Sequence, residues 1–142
     1  MRRWLPALVF VLVSLPAAAQ ETFSNLQLTV QEGDKVKRID ITAEFTADAL
    51  VVRNKETKEV RRTIPYDAIR TAEYSYAKSP RWKTAIFVSP LFLFTSGKQH
   101  WFMVTSTTEQ AVVKLDKSVY RLFLATFETR TGKKVETVAD SK

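Results

Sequence analysis

His100 is the one histidine of this chain, and no cysteine accompanies it. A metal centre built on imidazole or thiolate draws on several such ligands. The lone ring therefore predicts none, and no carboxylate or nucleophile stands beside it at a spacing that suggests a proton relay. Packing or surface exposure next to Trp101 is the expectation for it. The carboxylates Glu44, Asp67, Glu73 and Asp116 lack the spacing of a paired acid and base. The three glycines, Gly33, Gly97 and Gly132, sit at turns or a cap, and neither a phosphate-cradling loop nor a dinucleotide fingerprint is present. The chain reads as a non-enzyme with no catalytic residues, no metal and no cofactor. A small periplasmic enzyme or an inhibitor-like protein is the alternative.

Binding chemistry is better represented. Lys78-Ser79-Pro80-Arg81-Trp82-Lys83 interrupts the strand pattern and puts an indole among cations. A flat apolar ring flanked by Arg81 and Lys83 suits an anionic membrane interface or an anionic ring-bearing ligand. Lys78, Arg81, Trp82 and Lys83 are the candidate binding surface; the competing reading folds Trp82 back over the end of the domain. A second basic cluster, Arg53, Lys55, Lys58, Arg61 and Arg62, lies on a hairpin. Single-stranded nucleic acid would want aromatics interleaved with these cations, and the cluster has none, so it reads as edge protection. The expected partners are an anionic lipid surface or a protein.

The N-terminus sets where this chemistry would take place. Met1-Arg2-Arg3 is a cationic head, Trp4 to Leu15 is apolar, and Ala17-Ala18-Ala19 supplies small residues before Gln20. That is the pattern of an export signal cut near Ala19. The apolar run, about a dozen residues, is shorter than the roughly 20 that a spanning helix needs. With no cysteine, no lipoprotein anchor can form, and the mature chain carries no transmembrane segment. Loss of two arginines and no acid takes the net charge from +7 to +5. The expected product is a basic periplasmic or secreted protein that relies on a packed core without disulfides.

The elements that must position these residues are mostly strands. Leu26, Leu28 and Val30 alternate within residues 20–35, an N-terminal lead-in or an extra strand. Ile39, Ile41, Ala43 and Phe45 keep period two. Leu50 to Arg53 and Glu59 to Ile64 flank the polar loop Asn54 to Lys58, and Pro65 ends the second of them. Tyr66 to Ile69 turns, and Ala72 to Ala77 sets Tyr74 and Tyr76 on one face. Ala85 to Phe94, with Pro90 in the middle, reads as a buried strand. The other reading makes it an exposed apolar patch that needs a cover, with Leu91 to Phe94 as the protruding half. His100 to Ser106 and Ala111 to Leu115 complete the strands. After Asp116 as N-cap, Val119, Tyr120, Phe123, Leu124 and Phe127 recur at three and four, the stripe of an amphipathic helix that Gly132 stops. Residues 133–142 read as a disordered tail.

Seven short strands and one closing helix resemble the pleckstrin-homology-like fold. The segment Ala49 to Ile69, with Ile64-Pro65-Tyr66-Asp67-Ala68-Ile69, is similar to the opening hairpin and following turn of bacterial pleckstrin-homology and GRAM-type domains. Tyr74-Ser75-Tyr76 and Pro80-Arg81-Trp82-Lys83 also resemble segments of small exported bacterial proteins of unassigned function. The resemblance covers about residues 36–132. It implies a mainly β domain, a partly open seven-stranded barrel of two bent antiparallel sheets capped by one C-terminal helix. Lipid-binding relatives carry cations around the loop between their first two strands. On this alignment that loop is Thr46-Ala47-Asp48, so the phosphoinositide pocket is not carried over. The expectation is an exported, non-catalytic binding or envelope-associated module.

Overall fold

In the computed structural model, residues 21–32, 35–83 and 97–139 are described. The export signal, the apolar run Ala85 to Phe94 and the last three residues lie outside them. Among the described residues no helix is long and apolar enough to cross a membrane.

Within the undecided segment 20–35, Glu21–Glu32 is a strand. β1 (Glu21–Glu32) pairs antiparallel with β2 (Lys35–Phe45), from Glu21 opposite Phe45 to Glu32 opposite Lys35. A register shift between Phe23 and Leu26 marks a bulge, and Asn25 there takes a φ of 60°. Asparagine visits the left-handed region more readily than most residues. The irregularity lets Phe23, Leu26 and Leu28 all face inward and be buried, although 23 and 26 do not share the period of two. Because this strand precedes the others, the first two strands are joined by residues 33–34, which lie outside the described residues. Thr46-Ala47-Asp48 instead joins the second strand to the third, which corrects the alignment used to discount the phosphoinositide loop.

β3 (Ala49–Asn54) and β4 (Val60–Pro65) form the expected hairpin, with Leu50, Val52 and Ile64 buried. Its loop is a side-chain turn in which Asn54 Oδ1 accepts the amides of Glu56 and Thr57. A 3-10 turn, Tyr66–Ala68, follows Pro65 and delivers Ile69 into the core. β5 (Ile69–Ala77), β6 (Gln99–Ser106) and β7 (Gln110–Leu115) continue as antiparallel neighbours. One sheet runs in the order β4-β3-β2-β1-β7-β6-β5-β8, where β8 is the C-terminal pair Glu136–Thr137.

The architecture is thus mainly β, and it differs in detail from the expected two-sheet barrel. Among the described residues, a single open sheet of eight strands stands where seven strands in two sheets were expected. The eighth strand was not foreseen: β8 (Glu136–Thr137) lies parallel to β5, opposite Glu73 and Tyr74. Glu136 and Thr137 are therefore part of the sheet, and Val138, which follows them, is buried at 6% exposure. Two residues are too few to show a period, so this part of the expected tail carries no strand signal.

α1 (Tyr120–Thr131) packs on the sheet face that carries Phe45 and Phe102. Phe123 sits among Phe23, Phe45 and Phe102 at centroid distances of 5.4, 5.5 and 5.2 Å, and Phe127 lies 5.0 Å from Phe102. Mostly tilted or edge-on rings of this kind add to the burial of their area. Gly132 ends the helix at φ 69° with its N–H on the Glu128 carbonyl. Asp116 does not cap the helix itself. Its carboxylate accepts the Ser118 amide and hydroxyl, and its carbonyl accepts the amides of Val119 and Tyr120, which form the turn that launches α1.

Candidate functional site

Strand alternation assigns the side chains of β5 and β6 to two faces. Glu73, Ser75 and Ala77 share one with Trp101 and Met103, and all five are buried. Tyr74 and Tyr76 share the other, the helix side, with His100 and Phe102.

The loop that carries the sequence-predicted surface is anchored to the first face. Trp82 is half-buried and packs against Trp101, Met103 and Val112 on the face of the sheet. The Lys83 amide donates to Glu73 Oε1 at 2.9 Å, and its ammonium pairs with Glu136. The Arg81 amide donates to the Ala139 carbonyl at 2.9 Å. Lys78 and Arg81 have exposed side chains. The structure thus brings Lys78, Arg81, Trp82 and Lys83 into one loop, with the indole turned onto the sheet and one of its cations already paired.

On the helix side, past the end of the phenylalanine core, lies a groove that the sequence reading did not assemble. Tyr74, Tyr76, His100, Lys117, Tyr120 and Arg121 line a cavity of about 600 Å³. A smaller recess of about 220 Å³ shares Tyr76, His100 and Lys117 with it and adds Lys98 and Asp116. Three rings form a column. His100 stacks on Tyr120 at 3.8 Å and 11°, and Tyr76 stacks on His100 at 4.6 Å and 23°. Tyr74 stands beside them, its plane 3° from that of Tyr120 at 5.9 Å.

The protonation of the column follows from its surroundings. Burial, reinforced by the neighbouring Tyr120 and Tyr76 phenols, pushes Tyr74 up to about 12. Its hydroxyl keeps its proton at neutral pH and shares a 2.6 Å hydrogen bond with His100 Nδ1. With the phenol as donor, the imidazole proton is on Nε2. Burial holds His100 below its ordinary value, against the pull of Asp116 and with the help of the Arg121 charge. The ring is neutral at pH 7 and keeps one N–H donor.

Cations surround this neutral column. Arg121 Nε donates to the Tyr120 hydroxyl at 3.0 Å, which leaves both terminal nitrogens without a partner among the described residues. Lys98 Nζ lies 5.8 Å from the Tyr76 centroid, within cation–π range. Elsewhere Arg53, Arg62, Lys83 and Arg130 each meet a carboxylate. Lys98, Lys117 and Arg121 meet none within ion-pair distance among the described residues. Asp116, the carboxylate bordering the recess, is taken up by Ser118 and feels Lys117 and Lys114. No group of three or more metal-ligating side chains occurs among the described residues.

The groove escaped the sequence reading because its parts come from separate elements. Tyr74 and Tyr76 were placed on a common face, and Tyr120 was assigned to the buried stripe of the helix. The available signal was a tyrosine pair on one strand face with His100 on a later strand of the same sheet.

No protein-family model matches the chain, and no curated protein matches it. Among solved structures, a chain of the Spt16D Pob3N heterodimer matches with a TM-score of 0.54 at 14% identity, covering 87% of this chain and 56% of that one. The C-terminal domain of an unknown protein from Leishmania infantum matches with a TM-score of 0.44 at 11% identity, covering 82% and 88% of the two chains. This chain thus spans little more than half the length of the first. The first likeness is one of fold, and that fold is pleckstrin-homology-like.

Proposed function

We propose that this protein is an exported, non-catalytic binding module of bacterial pleckstrin-homology or GRAM type that takes an anionic partner in the groove between β5, β6 and the start of α1. The observation that carries the reading is the set of three cations, Lys117 and Arg121 on the ring-lined cavity and Lys98 on the adjoining recess, which have no ion-pair partner among the described residues. Cations gathered at a concave surface attract anions over several ångströms, and a guanidinium with free terminal nitrogens grips two oxygens of one anion. The leader Met1 to Ala19 supports export, and the basic balance of the mature chain supports an acidic partner. The loop Lys78 to Lys83 is the second candidate surface, through the exposed side chains of Lys78 and Arg81.

The test titrates the exported form with inorganic phosphate and, separately, sediments it with phosphatidylglycerol or phosphatidylcholine vesicles. Saturable phosphate binding that is lost in the double variant Lys117→Gln, Arg121→Gln supports the groove. Unchanged binding in that variant, or no binding by the parent protein, overturns it. Sedimentation with anionic vesicles that Arg81→Gln or Trp82→Ala abolishes would move the site to the loop.

A further inference from the structure

The groove offers more than charge, and its geometry narrows the chemistry of what fits. The ring column runs Tyr120, His100, Tyr76 and ends at Tyr76, whose side chain is 53% exposed. One face of that phenol rests on the imidazole. Lys98 reaches toward the same ring, and Lys117 and Arg121 border the cavity that Tyr76 shares with His100. A bare anion would use the cations and leave the terminal ring idle. A neutral ring would stack and leave three charges unanswered. The cavity, about 600 Å³, lies in the range of roughly 300–1,000 Å³ of pockets that hold drug-sized ligands, far more than one phosphate fills.

We propose that the groove takes a planar ring bearing a phosphate group, the ring extending the column on Tyr76 and the phosphate held by Lys98, Lys117 and Arg121. The inference rests on the anion-binding reading above and adds the ring. Stacking on an aromatic side chain tolerates many ring types, because every such ring presents a π-face. Two ammonium groups and one guanidinium supply three positive charges and the N–H donors that a phosphate dianion needs. The His100 imidazole is one further hydrogen-bonding group on the cavity wall.

Phenyl phosphate, inorganic phosphate and benzyl alcohol are the probes, titrated into the exported form by calorimetry and followed by the ring protons of Tyr76 and His100. Phenyl phosphate is expected to bind about tenfold tighter than inorganic phosphate, the contribution of one stacked ring, and benzyl alcohol weakest. In Tyr76→Leu the ratio of the two phosphate affinities should fall to near one, and in Tyr76→Trp it should be kept. Equal affinities in the parent protein, or an unchanged ratio in Tyr76→Leu, overturn the ring while leaving anion binding intact. Failure of both phosphates to bind overturns the anion-binding reading itself. Benzyl alcohol binding as tightly as phenyl phosphate makes the groove an apolar patch and overturns the proposal too. Anionic vesicles that bind while phenyl phosphate does not assign the groove to a lipid surface and count against the ring. Thermal melts of each variant show that its fold is retained.

Discussion

Tyr74 Oη lies 2.6 Å from Nδ1 of His100, a contact across the β5–β6 ladder between diagonal neighbours, since Tyr74 faces Phe102 and His100 faces Tyr76. Diagonal positions on one face of an antiparallel pair are close enough for long side chains to meet. With the phenol as donor, the bond stabilises the neutral imidazole.

That direction predicts a pH response. His100 should titrate below 6.5, because burial disfavours its cation. Tyr74→Phe removes a bond made to the neutral form, so the pKa should rise toward 6.5 in an NMR titration of the ring protons. A fall, or no movement, contradicts the assigned donor. For stability, the unfolded chain takes up the proton first as pH falls. The contribution of neutral His100 is thus complete above about 6.5 and is lost progressively down to the folded-state pKa. Denaturation midpoints between pH 7 and 5 should fall in the parent protein, and less steeply in His100→Gln.

The phenylalanine cluster makes α1 part of the core and gives the next prediction. Phe123 is 1% exposed and touches three other rings, whereas its neighbour Leu122 is 65% exposed. Phe123→Ala should cost about 3–5 kcal/mol in chemical denaturation. Leu122→Ala should stay within about 0.5 kcal/mol. Comparable losses at both sites would mean that the helix is not seated as described.

These contrasts show which parts of the fold were legible. The stripe Val119, Tyr120, Phe123, Leu124 and Phe127 repeats with the helical period, and all five pack on the core. Ile39, Ile41, Ala43 and Phe45 repeat with the strand period, and β2 results. β1 resisted the same reading because the bulge at Ser24-Asn25 breaks its alternation. The site resisted for a different reason. Lys83 looks like a free cation in sequence, yet its partner Glu136 lies 53 residues away in a strand of two residues. The His100 column joins two strands and a helix, and no local period announces a contact of that kind.

Gly132 predicts a purely conformational effect. Its φ of 69° lies in the left-handed region, and a Cβ built there would meet no heavy atom within 4 Å. Gly132→Ala should therefore destabilise by about 1–2 kcal/mol through backbone strain alone. Gly132→Asn should cost less, because asparagine visits that region more readily. If alanine proves neutral in thermal denaturation, the helix ends in another conformation.

The C-terminal strand tests whether the edge of β5 depends on its cover. The Val138 amide donates to the Tyr74 carbonyl at 2.8 Å, Ser75 Oγ donates to the Val138 carbonyl at 2.8 Å, and the Arg81 amide donates to Ala139. Tyr74 thus joins β8 through its backbone and His100 through its side chain. Val138→Ala, which removes two buried methyl groups, should cost about 1–2 kcal/mol. Truncation after Val135 removes these partners of Ser75, Tyr74 and Arg81 together and also the carboxylate of Glu136. It should redshift the Trp82 emission and speed tryptic cleavage at Arg81 and Lys83, because the loop loses two of its three anchors and keeps the bond to Glu73. A truncated protein with unchanged emission and cleavage would show that Glu73 and the indole packing alone hold the loop.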